Sequence, residues 1–471
     1  MLFRSDRATA ARKGLMAGVD MDMENHLYAE YLPQLVRSGA VPESVVDEAV
    51  RRVLRVKFAL GLFDHPYVNE NPPVQPAPAD LQLERTIAEE SFVLLKNSGS
   101  TGAPILPIDA KKARTIALIG PLADDAAQML GSWDGKGVPS DAVTLRQALT
   151  DRMKEIGGNL SYTRLYYAKG TDINGKSQEG FDEAMDAVSH ADFVVLALGE
   201  DASWMTGEAA SRTEIGLPGN QEQLLEAVTA SGKPVVLIVF SGRPLALPWA
   251  AKHVPAILQA WFPGVQAGPA LVRALFGDVS PSGKLTVSMP YSVGQEPLYY
   301  NSLTTGRPAD GVDLSRMPTN GEEKYHSRYI DQYNAALFPF GYGLSYTHFS
   351  YSPVQLSSAK ISAEELNAGR AKPITVSATI KNDGERAADE VVQFYIQLRG
   401  TSVARPRREL KGFKRITLEP GASQKVDFAL GDDELKFWNI DMKDVVEPAE
   451  VNVWISPNSA EGKSAQLTIT K

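Results

Sequence analysis

Two carboxylates follow a strongly apolar segment, in a position where many enzymes carry out chemistry. Glu200 comes directly after Phe193–Gly199, and Glu208 lies further along the same loop. A short, continuous, β-branched segment of this kind is typical of a parallel strand covered on both faces. Open α/β sheets place their sites beyond the carboxyl ends of such strands, so both residues are candidates for a general acid. A solvated loop carboxylate is the alternative interpretation of Glu208.

Tryptophans and an arginine accompany these carboxylates. Trp204 and Arg212 belong to the same loop, and Trp133 belongs to a second, glycine-rich loop, Gly131–Gly137. A tryptophan ring offers a flat face on which a sugar ring can stack. The glycine-rich loop could line a sugar pocket or be only a turn. It does not match the G-x-x-x-x-G-K-[ST] phosphate loop.

Other charged residues have weaker functional interpretations. Asp20 and Asp22 lie in the run Gly18–Met23, where alternate residues of a barrel strand would face one lumen. Helix caps or salt-bridge partners are an equally good interpretation of both. The basic pair Arg51 and Arg52, and the basic cluster between residues 405 and 408, are interpreted as solvated faces.

Composition excludes several classes of protein. The chain has 471 residues, enough for about three domains, and its net charge of −9 argues against nucleic acid or an anionic membrane as a partner. It has no cysteine and only six histidines, with no metal-ligand cluster, so neither a metal site nor a cofactor is predicted. No apolar segment approaches the roughly 18 residues of a spanning helix. No secretory signal is predicted at the N-terminus.

The pattern of elements predicts three kinds of structure. Residues 1–70 combine a helix from Ala8 to Ala17, a short strand-like run and an amphipathic helix over Glu43–Leu60, as expected of a fragment of a (β/α)8 barrel. After a proline-rich linker at 71–85, residues 86–300 alternate between strands and helices and predict a doubly wound α/β sandwich domain. The predicted strands are Thr115–Ile119, Phe193–Leu198, Val235–Phe240 and Ala256–Ala260. The predicted helices are Gly180–Ser189, Asn220–Ala230 and Gly268–Phe276.

The alternation of strands and helices ends after residue 300. A connecting excursion is predicted at 301–347, and 348–471 has the short alternating strands of a fibronectin-III-like β-sandwich. Its predicted strands are Ile374–Ile380, Val391–Gln397, Arg408–Lys414 and Ser423–Phe428.

An ordered set of motifs resembles glycoside hydrolase family 3, specifically the bacterial periplasmic β-glucosidase type. The motifs extend over essentially the whole chain and keep the order of the family. They are Ala17-Gly-Val-Asp-Met-Asp-Met23, Ala88-Glu-Glu-Ser-Phe-Val-Leu-Leu-Lys-Asn97, Ser211-Arg-Thr-Glu-Ile-Gly-Leu-Pro-Gly-Asn-Gln221, Ser241-Gly-Arg-Pro244, Ala260-Trp-Phe-Pro-Gly264, Phe338-Pro-Phe-Gly-Tyr-Gly-Leu-Ser-Tyr-Thr347 and Arg405-Pro-Arg-Arg-Glu-Leu-Lys-Gly-Phe413.

The resemblance implies retaining hydrolysis of terminal β-D-glucosidic bonds in a β-linked oligosaccharide or glucoside. That reaction uses two carboxyl groups roughly 5–5.5 Å apart. The acid/base of the family maps best onto Glu208, with Glu200 as the fallback, and Trp133, Trp204 and Arg212 are the expected substrate-binding residues. The nucleophile of the family lies in a Ser-Asp-Trp-like motif. Asp6 lacks the tryptophan and is a poor match.

The resemblance also implies that the chain is a C-terminal portion lacking most of the N-terminal barrel. We therefore expect the isolated chain to be inactive, with an acid/base but no nucleophile, and to need a separate barrel chain. The alternatives are a non-catalytic carbohydrate-binding or interaction protein, or a hydrolase with another nucleophile. Periplasmic or secreted localisation follows from the resemblance. The apolar stripe of the helix at Glu43–Leu60 predicts association, for example as a homodimer.

Overall fold

The computed structural model describes residues 6–68, 76–99, 101–157, 164–206, 210–308, 321 and 323–471. The chain divides into two compact units, Met1–Pro76 and Ala77–Lys471. Within the described residues, no helix is both long and apolar enough to cross a bilayer. The same residues contain no group of three or more histidine or carboxylate side chains that could hold a metal ion.

The first unit contains three helices in its described part: α1 (Arg7–Met16), α2 (Leu27–Arg37) and α3 (Glu43–Ala59). Helices α1 and α3 confirm the sequence prediction. Helix α2 was not predicted; it contains Pro33, a residue that ordinarily interrupts a helix. A small core holds the unit together, with Leu15, Val41 and Ala49 as its buried members.

The predicted strand over Gly18–Met23 is wrong. These residues form no strand, and the described part of this unit contains only helices. A lone strand would leave backbone N–H and C=O groups without ladder partners, so the run adopts irregular structure instead. The proposed barrel remnant is therefore not confirmed.

The second unit begins with a six-stranded sheet in the order β1-β6-β5-β4-β2-β3. All neighbouring strands are parallel except β1, which runs antiparallel to β6. Its strands are β1 (Val93–Asn97), β2 (Thr115–Ile119), β3 (Arg164–Ala168), β4 (Phe193–Gly199), β5 (Val235–Phe240) and β6 (Ala256–Gln259). The four predicted strands are confirmed. Strands β1 and β3 were not predicted. Strand β3 lies at the sheet edge, is only partly buried and contains no β-branched residue.

Helices cover both faces of this sheet, each over its own buried core, which confirms the α/β sandwich. The helices are α4 (Pro78–Ser91), α5 (Ala126–Leu130), α6 (Leu145–Gly157), α7 (Phe181–Ser189), α8 (Gln221–Ala230), α9 (Pro248–His253) and α10 (Ala267–Phe276). The strand order reverses between β2 and β4, so the loops after these strands diverge and leave a crevice at their carboxyl ends.

The chain ends in a β-sandwich around a third core. One sheet has the order β13-β10-β7, with β8 also on β10, and the other has the order β12-β11-β16-β17-β9. The elements are β7 (Phe349–Tyr351), β8 (Gln355–Leu356), β9 (Lys360–Ser362), α11 (Ala363–Asn367), β10 (Ile374–Asn382), β11 (Ala388–Arg399), β12 (Glu409–Leu418), β13 (Ser423–Leu430), α12 (Asp432–Leu435), β14 (Phe437–Trp438), β15 (Asp444–Val445), β16 (Ala449–Ser456) and β17 (Ala465–Thr470). The four predicted strands are present.

Candidate functional site

The end of β4 is fixed by an unusual backbone position. Gly199 has φ +151°, and a Cβ atom built on it would lie 1.8 Å from the carbonyl oxygen of Phe240, so only glycine fits. The buried amide of Gln221 holds the same residue from the other side. Its Oε1 accepts the N–H of Gly199 at 2.8 Å, and its Nε2 donates to the carbonyl of Gly199 at 2.8 Å. The start of the following loop is therefore positioned by α8.

Glu200 is completely buried directly after this glycine. Its Oε1 accepts hydrogen bonds from Nη2 of Arg212 at 2.7 Å and from Nη2 of Arg243 at 2.9 Å. The Nε atoms of both arginines lie 3.1 Å from the same oxygen. One buried carboxylate thus joins two guanidinium groups, an arrangement that is strongly destabilised when a partner is removed.

The two arginines also hold both ends of the loop that follows. Arg243 donates to the carbonyl of Met205 at 2.6 Å and to Oγ of Ser211 at 2.9 Å. Arg212 donates to the carbonyl of Gly216 at 2.8 Å. Glu208, the predicted acid/base, lies outside the described residues; in the sequence it falls between Met205 and Ser211.

A cavity of about 460 Å³ lies beside this loop. It is lined by Leu130, Gly131, Ser132, Trp133, Thr206, Gly242 and Phe262. Oγ of Ser132 contacts the carbonyl of Ala202 at 2.6 Å and Oγ1 of Thr206 at 2.9 Å, so the glycine-rich loop and the loop after β4 are joined. The cavity is concave and carries both aromatic and hydroxyl groups, as small-molecule sites do.

The predicted substrate-binding residues have different environments. Trp133 is 83% exposed and Trp204 is 56% exposed, so both rings are accessible. Arg212 has its guanidinium group on Glu200 and Gly216, which makes it a structural anchor in this structure. Trp133 lines the cavity, whereas Trp204 belongs to the neighbouring turn.

The acids of the first unit have structural contacts. Asp6 caps α1 by accepting the N–H of Thr9 at 2.9 Å, a hydrogen bond that lowers the pKa of Asp6. Asp20 forms an ion pair with Arg52, with two N–O distances of 2.7 and 2.9 Å. The hydrogen bond from Arg52 lowers the pKa of Asp20. These contacts match the cap and salt-bridge interpretation.

Asp22 also has a structural contact. One of its carboxylate oxygens accepts the N–H of Tyr28 at 3.2 Å, near the beginning of α2. A carboxylate in the first turn of a helix satisfies an N–H group that lacks an intrahelical partner.

Gln221, Arg243 and Phe262 lie in segments that resemble the family motifs, but the sequence analysis did not predict them as site residues. The signal was available for Arg243, because it lies three residues after the end of β5, at the same sheet edge as Glu200. Gln221 gave a weaker signal, since only the fold shows that its amide is buried against a strand end.

Comparison with known proteins decides the family. The model of the glycosyl hydrolase family 3 C-terminal domain matches residues 92–346, and the model of the fibronectin type III-like domain matches residues 390–459. The chain belongs to glycosyl hydrolase family 3. The resemblance found in the sequence motifs is thereby confirmed.

Relatives of this family 3 chain are named as glycosidases. A periplasmic beta-glucosidase of Salmonella typhimurium is 40% identical over 99% of this chain. A beta-xylosidase of Formosa agariphila is 36% identical over 98% of it. A solved structure of a mutant beta-glucosidase from Listeria innocua in complex with laminaribiose is similar with a TM-score of 0.84, 34% identity and coverage of 99% of this chain. The chain spans 61%, 62% and 60% of the lengths of these three proteins.

Proposed function

We propose that this family 3 chain contributes the acid/base side of a retaining β-glucosidase reaction, with Glu208 as the catalytic acid/base. The observation that carries the proposal is the anchored loop: Glu200, Arg212 and Arg243 fix both ends of the segment that contains Glu208. A rigid support of this kind is what a catalytic group needs to be held in productive geometry.

Glu200 is a weaker candidate for the acid/base, for a geometric reason. A general acid must lie within hydrogen-bond reach of the substrate oxygen that it protonates. Glu200 has no solvent exposure, and its carboxylate already accepts hydrogen bonds from two guanidinium groups. We therefore propose that Glu200 positions the loop and that Glu208 carries the proton.

In the proposed reaction, Glu208 first protonates the leaving glycosidic oxygen and then, as a base, activates the water that releases the sugar. The exposed rings of Trp133 and Trp204 would offer apolar faces to the substrate beside the cavity. A terminal β-linked glucoside is the proposed substrate, with a β-xyloside second, because the relatives carry these two names.

The reaction also needs a carboxylate nucleophile. Asp6 and Asp20 are engaged in a helix cap and an ion pair, and we propose no nucleophile among the described residues. We propose the periplasm as the location, since a relative of 40% identity is named a periplasmic enzyme.

A second candidate is a carbohydrate-binding protein without catalysis. The favouring observation is that the cavity and its exposed tryptophan could hold a sugar whether or not a nucleophile is present. This candidate predicts binding of β-glucosides without turnover.

The test is hydrolysis of aryl β-glucosides with good and poor leaving groups by the 471-residue chain mixed with a separate family 3 barrel chain that supplies the nucleophile, beside Glu208→Gln. We expect the variant to lose roughly 10²–10⁴-fold on the poor leaving group and less on the good one, because only the former needs acid assistance. Glu214→Gln is the matched control: this carboxylate is exposed in the same loop.

Equal turnover by the wild type and Glu208→Gln would contradict the assignment of Glu208. No turnover by the wild-type chain even in the presence of the barrel chain, together with saturable binding of a β-glucoside, would favour the carbohydrate-binding candidate.

A further inference from the structure

A larger cavity, of about 1000 Å³, lies away from the β4 loop, between the connecting segment and the terminal β-sandwich. Among the described residues, its charged lining side chains are Arg399, Arg405, Arg407 and Arg408, and none of the described lining residues is an aspartate or glutamate. In a chain with a net charge of −9, four arginines in the described lining of one cavity are unexpected. We call it the arginine cavity.

Arg408 is the best-defined member of the arginine cavity. Its Nη1 donates to the carbonyl oxygens of Ser459 at 2.5 Å and Glu461 at 2.9 Å, and its Cζ lies 4.4 Å from the ring centroid of Trp454. It forms no ion pair with a carboxylate in the part of the chain that the structure describes. Burial lowers the pKa of Arg408 to about 10, so the group is still positive at neutral pH. A half-buried cation without a counter-charge is a costly arrangement that a bound anion would relieve.

Two neighbours extend the positive surface. Arg399 is exposed and makes no side-chain hydrogen bond or ion pair with any described residue. Arg405 is ion-paired with Glu409 at 3.0 Å, yet its Nε is buried without a hydrogen-bond partner among the described residues. The interpretation of residues 405–408 as a solvated face therefore fails for Arg405 and Arg408, which are partly buried.

The rest of the lining suits a saccharide more than a small inorganic ion. Tyr299 presents a ring that is 67% exposed, and Trp454 adds a second aromatic ring. Hydroxyl groups are supplied by Ser302, Thr304 and Thr401. Aromatic faces combined with a few polar groups are typical of sites for organic ligands, and arginine forks match carboxylate geometry.

We propose that the arginine cavity binds an acidic saccharide, with the carboxylate of a uronic acid residue held by Arg399 and Arg408. The site is separate from the Glu208 loop, so its occupation does not depend on hydrolysis. It would give the chain affinity for a charged glycan independently of the sugar that is cleaved.

The experiment is calorimetric titration of the full chain with a glucuronic acid trisaccharide, a neutral glucose trisaccharide and inorganic phosphate. We expect the acidic trisaccharide to bind at least about 10-fold more tightly than the neutral one, since each charge-assisted hydrogen bond contributes substantially. Binding should weaken as salt is raised. Arg399→Gln and Arg408→Gln should each weaken it by roughly 10-fold.

Arg370→Gln is the matched control, because Arg370 is an exposed arginine of the same β-sandwich outside the cavity. The proposal is overturned if both trisaccharides bind equally, if neither binds, or if the two cavity variants bind like the wild type. Phosphate binding as tight as that of the acidic trisaccharide would overturn the assignment to a saccharide. Since these readouts involve no turnover, they are distinguishable from a failure of Glu208.

Discussion

Two charged clusters of the second unit differ in whether a charge that is shielded from solvent has a partner of opposite charge. At the end of β4, one fully buried carboxylate is shared by the guanidinium groups of Arg212 and Arg243. In the arginine cavity, Arg408 is held by backbone carbonyl oxygens and an aromatic ring, with no carboxylate partner among the described residues. The first cluster is complete within the fold and positions a loop. The second is incomplete and has space beside it for an anion.

The largest expected effect tests whether the cluster of Glu200, Arg212 and Arg243 at the end of β4 stabilises the fold. Glu200→Gln should lower the free energy of unfolding by about 3–5 kcal/mol, because two guanidinium groups would lose their buried counter-charge. Urea denaturation followed by circular dichroism measures it. Glu214→Gln, at an exposed carboxylate of the same loop, should change stability by less than about 0.5 kcal/mol. A Glu200 variant as stable as the Glu214 variant would remove the distinction between the two clusters.

The next effect concerns the amide that fixes the strand end. Gln221→Leu should cost about 2–4 kcal/mol, because the N–H and C=O groups of Gly199 would be left buried without partners. Gln223→Leu, on the same helix, is the control, since its side chain is exposed and accepts a hydrogen bond from Gln178 at the surface. The free energy of unfolding of both variants is measured in urea. Equal losses in the two variants would mean that the hydrogen bonds between Gln221 and Gly199 do not specifically stabilise the fold.

A smaller effect is expected in the arginine cavity. Arg408→Met should cost only about 1–2 kcal/mol, because the lost hydrogen bonds are partly offset by removing an uncompensated charge. The acidic trisaccharide should raise the melting temperature of the wild type but not that of the variant. A cost as large as that of Glu200→Gln would show that both clusters are structural.

The smallest expected effect concerns a third charged side chain, the half-buried Glu84. Burial raises the pKa of Glu84, one of whose oxygens is buried without a partner among the described residues. The folded state therefore holds the proton more tightly than the unfolded state, so stability falls as pH rises from the ordinary glutamate pKa through the raised value. Glu84→Gln should lose this dependence and be slightly more stable at neutral pH. Unfolding free energies between pH 4 and pH 7 measure it, and an unchanged pH profile would contradict it.

The sequence predicted the sheet well where strands are buried on both faces. Phe193–Gly199 and Val235–Phe240 are continuous apolar runs, and both form strands. It failed where a pattern depends on tertiary neighbours. Gly18–Met23 has the alternating pattern of a strand but lacks a pairing partner among the described residues, and Arg164–Ala168 is a strand although it is mostly half-buried and contains no β-branched residue.

The candidate site was predicted in part for similar reasons. The position of Glu200 and Glu208 after a buried strand follows from periodicity, because sites of open sheets lie at strand ends. The contact between Arg243 and Glu200 joins residues that are far apart in sequence, and no local pattern reports it. Arg212 forms short hydrogen bonds to Glu200 and Gly216 that no local pattern reports, and its contact with substrate stays a prediction.

The side chain of Gln221 behaves as a surrogate peptide unit, pairing with both polar groups of Gly199 much as a neighbouring strand would. It ties together the two ends of a long loop without involving the residues between them. The loop is therefore an exchangeable cassette around one fixed residue: provided that Arg212 keeps its contacts with Glu200 and Gly216, the rest of the interior can change in length and sequence. Transplanting the corresponding loop of a relative between Glu200 and Asn220, with Arg212 retained, should preserve the fold and alter only the chemistry presented at the sheet edge.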